Sequence, residues 1–251
     1  MAKPSSKSRS KAKPKSKRGG LLHRLQRIFN LVRFLAVLLL LLIVGRAAGY
    51  ALPGLENLTR RGSWFPAAGA HVALILGHAG SDTGAICTDA EGRPTVTEAA
   101  ITRQVGELVA QRLRRAGADV ELLEEYDPRL EGLRADLLLS LHADSCIDAS
   151  GYKAARSQES RIPGVEDRLL ACIDREYATV TGLPPHPNTV THNMTLYHAF
   201  RRVDPETPAA ILEMGFLGGD QELLTERPEV VAQGVAESIL CFLNPEEPPA
   251  P

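Results

Sequence analysis

The chain has 251 residues, of which 44% are hydrophobic and 24% are charged, a composition typical of a globular protein with one or two domains. Its formal net charge of −1 conceals an asymmetry, because residues 1–33 contain eleven Lys or Arg and no acidic residue, whereas the remainder contains 18 basic and 30 acidic residues. Nucleic-acid binding needs clustered positive charge, so the acidic body argues against nucleic acid as a partner.

The N-terminal part of the chain has the features of an export or anchoring segment. Residues 1–33 are predicted to be a basic, disordered cytoplasmic tail, since they begin as a low-complexity mixture of Lys, Ser, Pro and Gly. Residues 34–52 begin with FLAVLLLLLIVG and, with Arg46 near the far end, reach the roughly 20 residues that a bilayer requires. A cleaved signal peptide is the alternative. The long basic lead favours the uncleaved transmembrane anchor, and both interpretations place the body outside the cytoplasm.

The body is predicted to be one α/β domain. Residues 53–70 form a linker rich in Pro and Gly, residues 71–244 alternate between strand and helix patterns, and residues 245–251 form a disordered tail. This alternation predicts a mostly parallel twisted sheet with helices on both faces, preceded by one transmembrane helix. The predicted strands are 72–76, 118–123, 136–141, 195–200 and 209–214, and the predicted helices are 98–116, 166–181 and 228–243.

Four side chains capable of binding a metal or transferring a proton are predicted to meet at one edge of this sheet. His78 follows the first strand, His142 ends the third inside SLHAD, and Glu213 ends a later strand inside ILEMGF. Glu98 opens the first helix behind Thr97, a candidate N-cap, so it lies at the same edge. In folds of this kind ligands bind beyond the carboxyl ends of the strands.

The chemistry of these four residues points to a metal. A carboxylate flanked by apolar residues, as Glu213 is, is costly to bury unless a charged group compensates it. Two imidazoles and one carboxylate form a zinc site with an open position for water, and the remaining carboxylate is available as a base. Each residue taken alone has a simpler explanation, such as a hydrogen-bonded histidine at a strand end.

The motifs GHAGSDTGA (77–85), SLHAD (140–144) and ILEMGF (211–216), together with the helix-leading Glu98, resemble those of the zinc-dependent N-acetylmuramoyl-L-alanine amidases of the amidase-3 type. The resemblance covers about residues 72–243. It implies an enzyme that hydrolyses the amide between N-acetylmuramic acid and L-alanine in peptidoglycan. It also implies a Zn2+ cofactor held by three ligands and a glutamate that acts as the catalytic base. The implied metal ligands are His78, Glu98 and His142, and the implied catalytic residue is Glu213.

The sequence departs from the family motifs at several points. Asp144 replaces the asparagine of the SxHxN motif, LGGD (217–220) replaces the segment that usually carries an asparagine after the LExGF motif, and the second strand ends in LLEEYD instead of a threonine-arginine pair. Glu91 is a competing candidate for the ligand position of Glu98, which is favoured because it opens the helix. These departures leave the substrate contacts of the second-strand region open.

Other polar residues have more than one interpretation. Asp82 is predicted to shape the turn after His78. Three histidines of the loop region are spaced six residues apart, namely His186, His192 and His198. A second metal site is considered for them, but contact of one or two of them with the glycan or the stem peptide is favoured. Gly151 and Tyr152 are expected to border the groove, and the region 144–166 has room for a regulatory helix. The four cysteines are compatible either with disulfides or with free buried thiols, and their pairing is left open.

The sequence therefore predicts a membrane-tethered zinc amidase whose partners are peptidoglycan and, through the N-terminal segment, the membrane. One alternative is an exported zinc peptidase or deacetylase that uses the same ligands. Another is a catalytically degenerate, membrane-tethered protein that binds peptidoglycan.

Overall fold

The structure, a computed structural model, describes residues 26–37 and 65–244. A helix over 26–37, named α1, belongs to a different unit of the chain from residues 65–244 and is considered by itself. Among the described helices, none has both the length and the apolar composition needed to cross a bilayer. Most of the predicted membrane segment 34–52, the first part of the predicted linker and the tail 245–251 lie outside the described residues.

A five-stranded sheet forms the centre of residues 65–244. Its order is β4-β1-β5-β7-β6, and all neighbours are parallel except β6, which runs antiparallel to β7 at one edge. The mostly parallel sheet predicted from the alternating pattern is therefore confirmed. The strands of this sheet are β1 (His71–Leu76), β4 (Asp119–Glu124), β5 (Leu137–Asp144), β6 (Lys153–Ala155) and β7 (Ala209–Phe216).

The helices cover the two faces of the sheet unequally. Three long helices are present, α2 (Glu98–Arg115), α3 (Pro163–Thr181) and α6 (Pro228–Leu243), and all three contribute to one apolar core together with the inward residues of β1, β5 and β7. The other face is covered only by short helical segments, which include α4 (His192–Thr195) and a 3-10 turn at His198–Arg201. The prediction of helices on both faces thus holds only if these short segments are counted.

The structure differs from the predicted elements in several places, and the edge strand β6 is one of those that were not predicted. The predicted strand 195–200 is wrong: Thr191 accepts a hydrogen bond from the backbone N–H of Met194 at 3.3 Å and starts the short helix α4 there. The hairpin of β2 (Ile86–Thr88) and β3 (Pro94–Thr97) was not predicted, because these short strands are mostly exposed and lack a clear apolar alternation. A further short helix, α5 (Gln221–Glu226), precedes α6.

Two disulfides connect segments that are distant in the sequence. Cys87 in β2 is bonded to Cys146 in the loop after β5, and Cys172 in α3 is bonded to Cys241 in α6. The structure thus resolves the alternative left open by the sequence in favour of disulfides. The first bond ties together the two loops that follow β1 and β5, and the second joins two of the long helices.

We expect the double variant Cys172→Ser and Cys241→Ser to lose about 2–4 kcal/mol of unfolding free energy, because the disulfide closes a long loop and restricts the unfolded chain. Urea unfolding under oxidising conditions measures the change. The same unfolding under reducing conditions is the control, since the difference between the variant and the native chain should then shrink. Identical midpoints under oxidising conditions would contradict the expectation.

Gly77, between β1 and His78, lies against the neighbouring strand β5. A Cβ atom at this position would lie 2.5 Å from the Leu141 carbonyl oxygen and 2.6 Å from Cε1 of His142. Because the first contact is with backbone, a side chain cannot be accommodated without moving one strand. Glycine is therefore required here by close approach, and the space it leaves is filled by the His142 ring.

For this reason we expect Gly77→Ala to lower the free energy of unfolding by about 1–3 kcal/mol. Gly164→Ala in α3 is the matched control, because nothing lies within 4 Å of the Cβ that it would add. Urea unfolding midpoints of the two variants, each compared with the native chain, test the expectation. Equal midpoints for both variants would refute it.

Candidate metal centre

His78 is held in an uncommon backbone conformation just beyond β1. Its φ of 63° lies in the left-handed region that residues other than glycine rarely adopt. The backbone N–H of His78 donates to Glu125 Oε2 at 2.9 Å, and its ring Nδ1 lies 2.6 Å from Asp82 Oδ1. The Gly84 N–H donates to the same Asp82 oxygen at 2.8 Å. Asp82 therefore shapes the turn, as predicted, and also orients the imidazole.

Glu98 is the first residue of α2, and its buried carboxylate connects the two histidines. Its Oε2 accepts a hydrogen bond from the Ala85 N–H at 3.0 Å, and its Oε1 accepts one from the Ala143 N–H at 3.1 Å. The same two oxygens face the imidazoles, with Oε2 at 3.3 Å from His78 Nε2 and Oε1 at 3.0 Å from His142 Nδ1. The carboxylate is thus fixed by backbone donors and aimed between the rings.

The structure distinguishes Glu98 from its competitor Glu91. Glu91 lies in the turn of the β2–β3 hairpin, is exposed, and pairs with Arg93 at 3.0 Å. Glu98, in contrast, is only 5% exposed. Thr97 occupies the predicted N-cap position, but its side chain makes no capping hydrogen bond.

His142 lies in β5 with its ring 5.2 Å from that of His78, centroid to centroid. Burial disfavours the charged imidazolium, but the hydrogen bond to Glu98 and the negative charges of Glu213 and Glu125 outweigh burial and raise the pKa of His142. One ligand atom each of His78, Glu98 and His142 can be chosen so that all lie within 4.8 Å of one another. These three groups therefore fit around a single cation.

Glu213 lies beside this group on β7. It is in register with His142 on β5 and with Lys153 on β6, so the three side chains project from the same face of the sheet. Glu213 Oε2 is shielded from solvent and has no hydrogen-bond partner among the described residues. Burial, reinforced by the negative charge of Glu98 and opposed by His142, raises the pKa of Glu213 to about 7.

A buried ion pair explains how the chain accommodates Asp144 at the asparagine position of the SxHxN motif. Lys153 Nζ lies 2.5 Å from Asp144 Oδ2 and donates to the Thr189 carbonyl at 2.9 Å. Lys153 is only 6% exposed, and a buried ammonium requires such a partner. Lys153 was not predicted from the sequence to lie near the site, although a lysine between apolar residues in GYKAA was a usable signal.

Glu125, which follows β4, is a second residue near the site that was not predicted from the sequence. It is 5% exposed and accepts hydrogen bonds from the backbone of His78, from the Tyr197 hydroxyl at 2.8 Å and from His198 Nε2 at 2.9 Å. Burial opposes its ionisation, but these hydrogen bonds and the charge of His142 lower the pKa of Glu125 to about 2. Its position within LLEEYD, where the family motif differs, was the available signal.

The three loop histidines have different surroundings. His198 contacts Glu125, the ring Nδ1 of His186 lies 2.8 Å from Thr189 Oγ1, and His192 is exposed. Among the residues that the structure describes, the only group of three or more side chains placed to hold a metal is the one formed by His78, Glu98 and His142. The structure therefore gives no support to a second metal site on these histidines.

The loop between β5 and β6 is pinned beside the site. Asp220 Oδ2 accepts a hydrogen bond from the Gly151 N–H at 3.0 Å, which fixes the loop to the end of β7. Tyr152 is buried, with 1% exposed, and its hydroxyl donates to Asp174, so the expectation that Tyr152 borders the groove is wrong. Within the described part of the chain, residues 145–162 contain no helix, so the regulatory helix considered for this region is not formed there.

Comparison with known proteins identifies the family. The family profile described as N-acetylmuramoyl-L-alanine amidase matches residues 72–241. No match was found among curated proteins.

Solved structures share the fold. The amidase Ami1 from Mycobacterium smegmatis is 17% identical, with a TM-score of 0.54 over 72% of this chain and 99% of that chain. An N-acetylmuramoyl-L-alanine amidase from Clostridium difficile 630 is 18% identical, with a TM-score of 0.56 over 72% and 100%. The catalytic domain of CwlV from Bacillus (Paenibacillus) polymyxa var. colistinus is 21% identical, with a TM-score of 0.52 over 70% and 99%. The profile match spans more than half of the sequence, and the chain therefore belongs to the N-acetylmuramoyl-L-alanine amidase family of the amidase-3 type.

Proposed function

We propose that this chain is a zinc-dependent amidase that hydrolyses the bond between the lactyl group of N-acetylmuramic acid and L-alanine in peptidoglycan, and so acts in cell-wall remodelling. The observation that carries the proposal is the convergence of His78, Glu98 and His142 beside Glu213 in a member of this family.

The residues of the site fit a zinc ion. The proposed ligands are His78, Glu98 and His142, which offer two imidazole nitrogens and a carboxylate oxygen, a donor set that zinc accepts while leaving a position for water. The carboxyl groups of Glu98 and Glu125 are both buried at this place, and Glu213 carries an unpartnered oxygen beside them. A divalent cation would balance this concentration of negative charge.

When bound, zinc supplies Lewis-acid chemistry, since it polarises a carbonyl group and lowers the pKa of water towards about 7. Glu213 is the proposed catalytic residue. Its burial raises its pKa to about 7, and a nearby cation lowers the pKa again, so the side chain can be ionised at neutral pH and still accept a proton.

The proposed reaction uses Glu213 twice. The carboxylate takes a proton from water as the water oxygen forms its bond to the lactyl carbonyl carbon. The protonated Glu213 then gives this proton to the L-alanine nitrogen as the carbon–nitrogen bond breaks. The products are the lactyl carboxylic acid and a peptide with a free L-alanine amino terminus; at neutral pH the acid loses its remaining proton and the amine gains one. Ser140 and Asp82 take no part in the bond changes, but they orient the rings of His142 and His78.

We expect Glu213→Gln to retain bound zinc and to lose amidase turnover by about 10²–10⁴-fold, because the amide cannot take the proton from water. His78→Ala should lose both zinc and activity. The measurements are elemental analysis of zinc and the release of L-alanine amino termini from purified peptidoglycan. Glu91→Gln is the matched control, since Glu91 is exposed and lies in the hairpin turn, and it should change neither quantity.

Different outcomes distinguish the alternatives. Turnover retained in Glu213→Gln would remove this residue from its proposed role. Release of acetate or of internal peptide ends by the native chain would replace the amidase with a deacetylase or a peptidase that uses the same ligands. Zinc binding and peptidoglycan binding without any hydrolysis would instead identify a degenerate, tethered binding protein.

We also propose that the domain acts outside the cytoplasm and is held at the membrane by the segment 34–52. The positive-inside rule supports this orientation, because all charged residues of 1–33 are basic. The pairing of all four cysteines in disulfides supports an oxidising compartment.

We expect the full-length chain, produced in a bacterial host, to stay in the membrane fraction after alkaline washing and to be degraded by protease added from outside. Removal of residues 34–52 should abolish export and leave the chain in the cytoplasm. Immunoblotting of the fractions measures both. A shortened native chain in the soluble, extracytoplasmic fraction would show cleavage of a signal peptide, and the anchor would be excluded.

A further inference from the structure

A buried chain of polar groups runs from His142 away from the proposed zinc position. His142 Nε2 lies 3.1 Å from Ser140 Oγ, Ser140 Oγ lies 3.0 Å from the Tyr197 hydroxyl, and this hydroxyl lies 2.8 Å from Glu125 Oε1. All four side chains are buried, with exposures from 0% for Ser140 to 8% for Tyr197. The chain connects β5, the segment before the 3-10 turn at 198–201, and the end of β4.

The direction of each hydrogen bond in this chain follows from its last member. The Glu125 carboxylate can only accept hydrogen bonds, so the Tyr197 hydroxyl must donate its one hydrogen to Glu125 Oε1. The Tyr197 oxygen then accepts a hydrogen bond from the Ser140 hydroxyl, and the Ser140 oxygen accepts one from His142 Nε2. Nε2 of His142 must therefore carry a hydrogen. In the neutral ring this leaves the lone pair on Nδ1, the nitrogen that faces Glu98 Oε1 at 3.0 Å.

His78 is arranged in the same way with its two nitrogens exchanged. Nδ1 lies 2.6 Å from the Asp82 carboxylate and must donate to it, so the lone pair lies on Nε2. That nitrogen faces Glu98 Oε2 at 3.3 Å. Each ring therefore turns an acceptor atom towards the Glu98 carboxylate, which itself only accepts. Acceptors facing each other at these distances repel unless a proton or a cation lies between them.

We propose that Ser140, Tyr197 and Glu125 are positioning residues of the metal site, which form a one-way hydrogen-bond chain that keeps the His142 hydrogen on Nε2 and reserves Nδ1 for the ion. This rests on the proposed function, because the ion is the zinc proposed above. Nδ1 of His142 and Nε2 of His78 would then be the nitrogen atoms available to hold zinc. Partners of this kind set the tautomer, the orientation and the basicity of a metal-binding imidazole.

Glu125 links the two halves of this arrangement. Its Oε1 ends the chain from His142, while its Oε2 accepts the backbone N–H of His78 and so supports the left-handed conformation of that residue. The Glu125 Oε2 atom also lies 3.6 Å from His142 Nε2, which adds a second acceptor on the protonated side of the ring. His198 Nε2 shares Oε1 at 2.9 Å and holds the carboxylate in place from the opposite side.

The test is the zinc affinity of the full-length, metal-free chain, measured by competition with a chromophoric chelator. Tyr197→Phe removes only the hydroxyl from the middle of the hydrogen-bond chain, and we expect it to weaken zinc binding by about 10–100-fold. Glu125→Gln should have at least the same effect, because its amide group cannot accept from both Tyr197 and His78. Tyr152→Phe is the matched control: it removes a buried hydroxyl bonded to Asp174, far along α3, and should bind zinc like the native chain.

A second measurement reports the tautomer directly. In the zinc-loaded chain with 15N-labelled histidine, long-range proton–nitrogen correlation should show hydrogen on Nε2 of His142 and none on Nδ1. The resonances are assigned by their absence from His142→Gln. Circular dichroism of each variant verifies that it is folded.

The outcomes separate this inference from the proposed function. If the Tyr197→Phe variant is folded and its zinc affinity is within twofold of that of the native protein, the proposed positioning role is wrong, even if the native protein is an active amidase. Hydrogen found on Nδ1 of His142 overturns it as well. If the native protein binds zinc but hydrolyses no peptidoglycan, the proposed function is wrong. A loss of zinc affinity in Tyr197→Phe would in that case still support the positioning role of Ser140, Tyr197 and Glu125. A native chain that binds no zinc defeats both.

Discussion

A carboxylate buried between two imidazole nitrogens that carry no hydrogen is unfavourable without a positive charge between them, because lone pairs then face each other across about 3 Å. Glu98 is placed in this way between His78 and His142, with both of its oxygens also fixed by backbone donors. Breaking a buried charge arrangement by removing one partner typically costs about 3–5 kcal/mol. The proposed cation would therefore stabilise groups that the fold brings together from the end of β1, the start of α2 and the end of β5.

The remainder of the fold keeps these segments from moving apart. The Cys87–Cys146 disulfide joins the hairpin before α2 to the loop after β5. The segment that leads to Glu98 and the segment that follows His142 are therefore covalently connected. Gly77 allows β1 to approach the His142 ring, and Asp220 fixes the loop at Gly151 to the end of β7. A metal site needs its ligands held within a few tenths of an ångström, and rigid strands with pinned loops provide that accuracy.

The sequence was sufficient to predict the central strands, the three long helices and the convergence of four polar side chains at one edge of the sheet. The reason is that parallel strands ending at one edge must bring the residues after them together. His78, Glu98, His142 and Glu213 each adjoin an element with a clear apolar period. What could not be predicted depends on contacts between distant segments. The three long helices share one face because their apolar sides fit each other, and the strand predicted at 195–200 is replaced by helical turns that place Tyr197 against Ser140.

At two of the three places where the sequence departs from the family motifs, the charged residue that it introduces has a partner within the described structure. Asp144 introduces a carboxylate near Glu213, and Lys153 from the neighbouring strand compensates it. The ending LLEEYD introduces Glu125, and the hydroxyl of Tyr197 and the ring of His198 are its partners. In each case a charge that is costly to bury appears together with the group that makes its burial tolerable. All four proposed site residues are present, and the charges introduced at Asp144 and Glu125 are paired with Lys153 and with Tyr197 and His198, which is consistent with the proposed function.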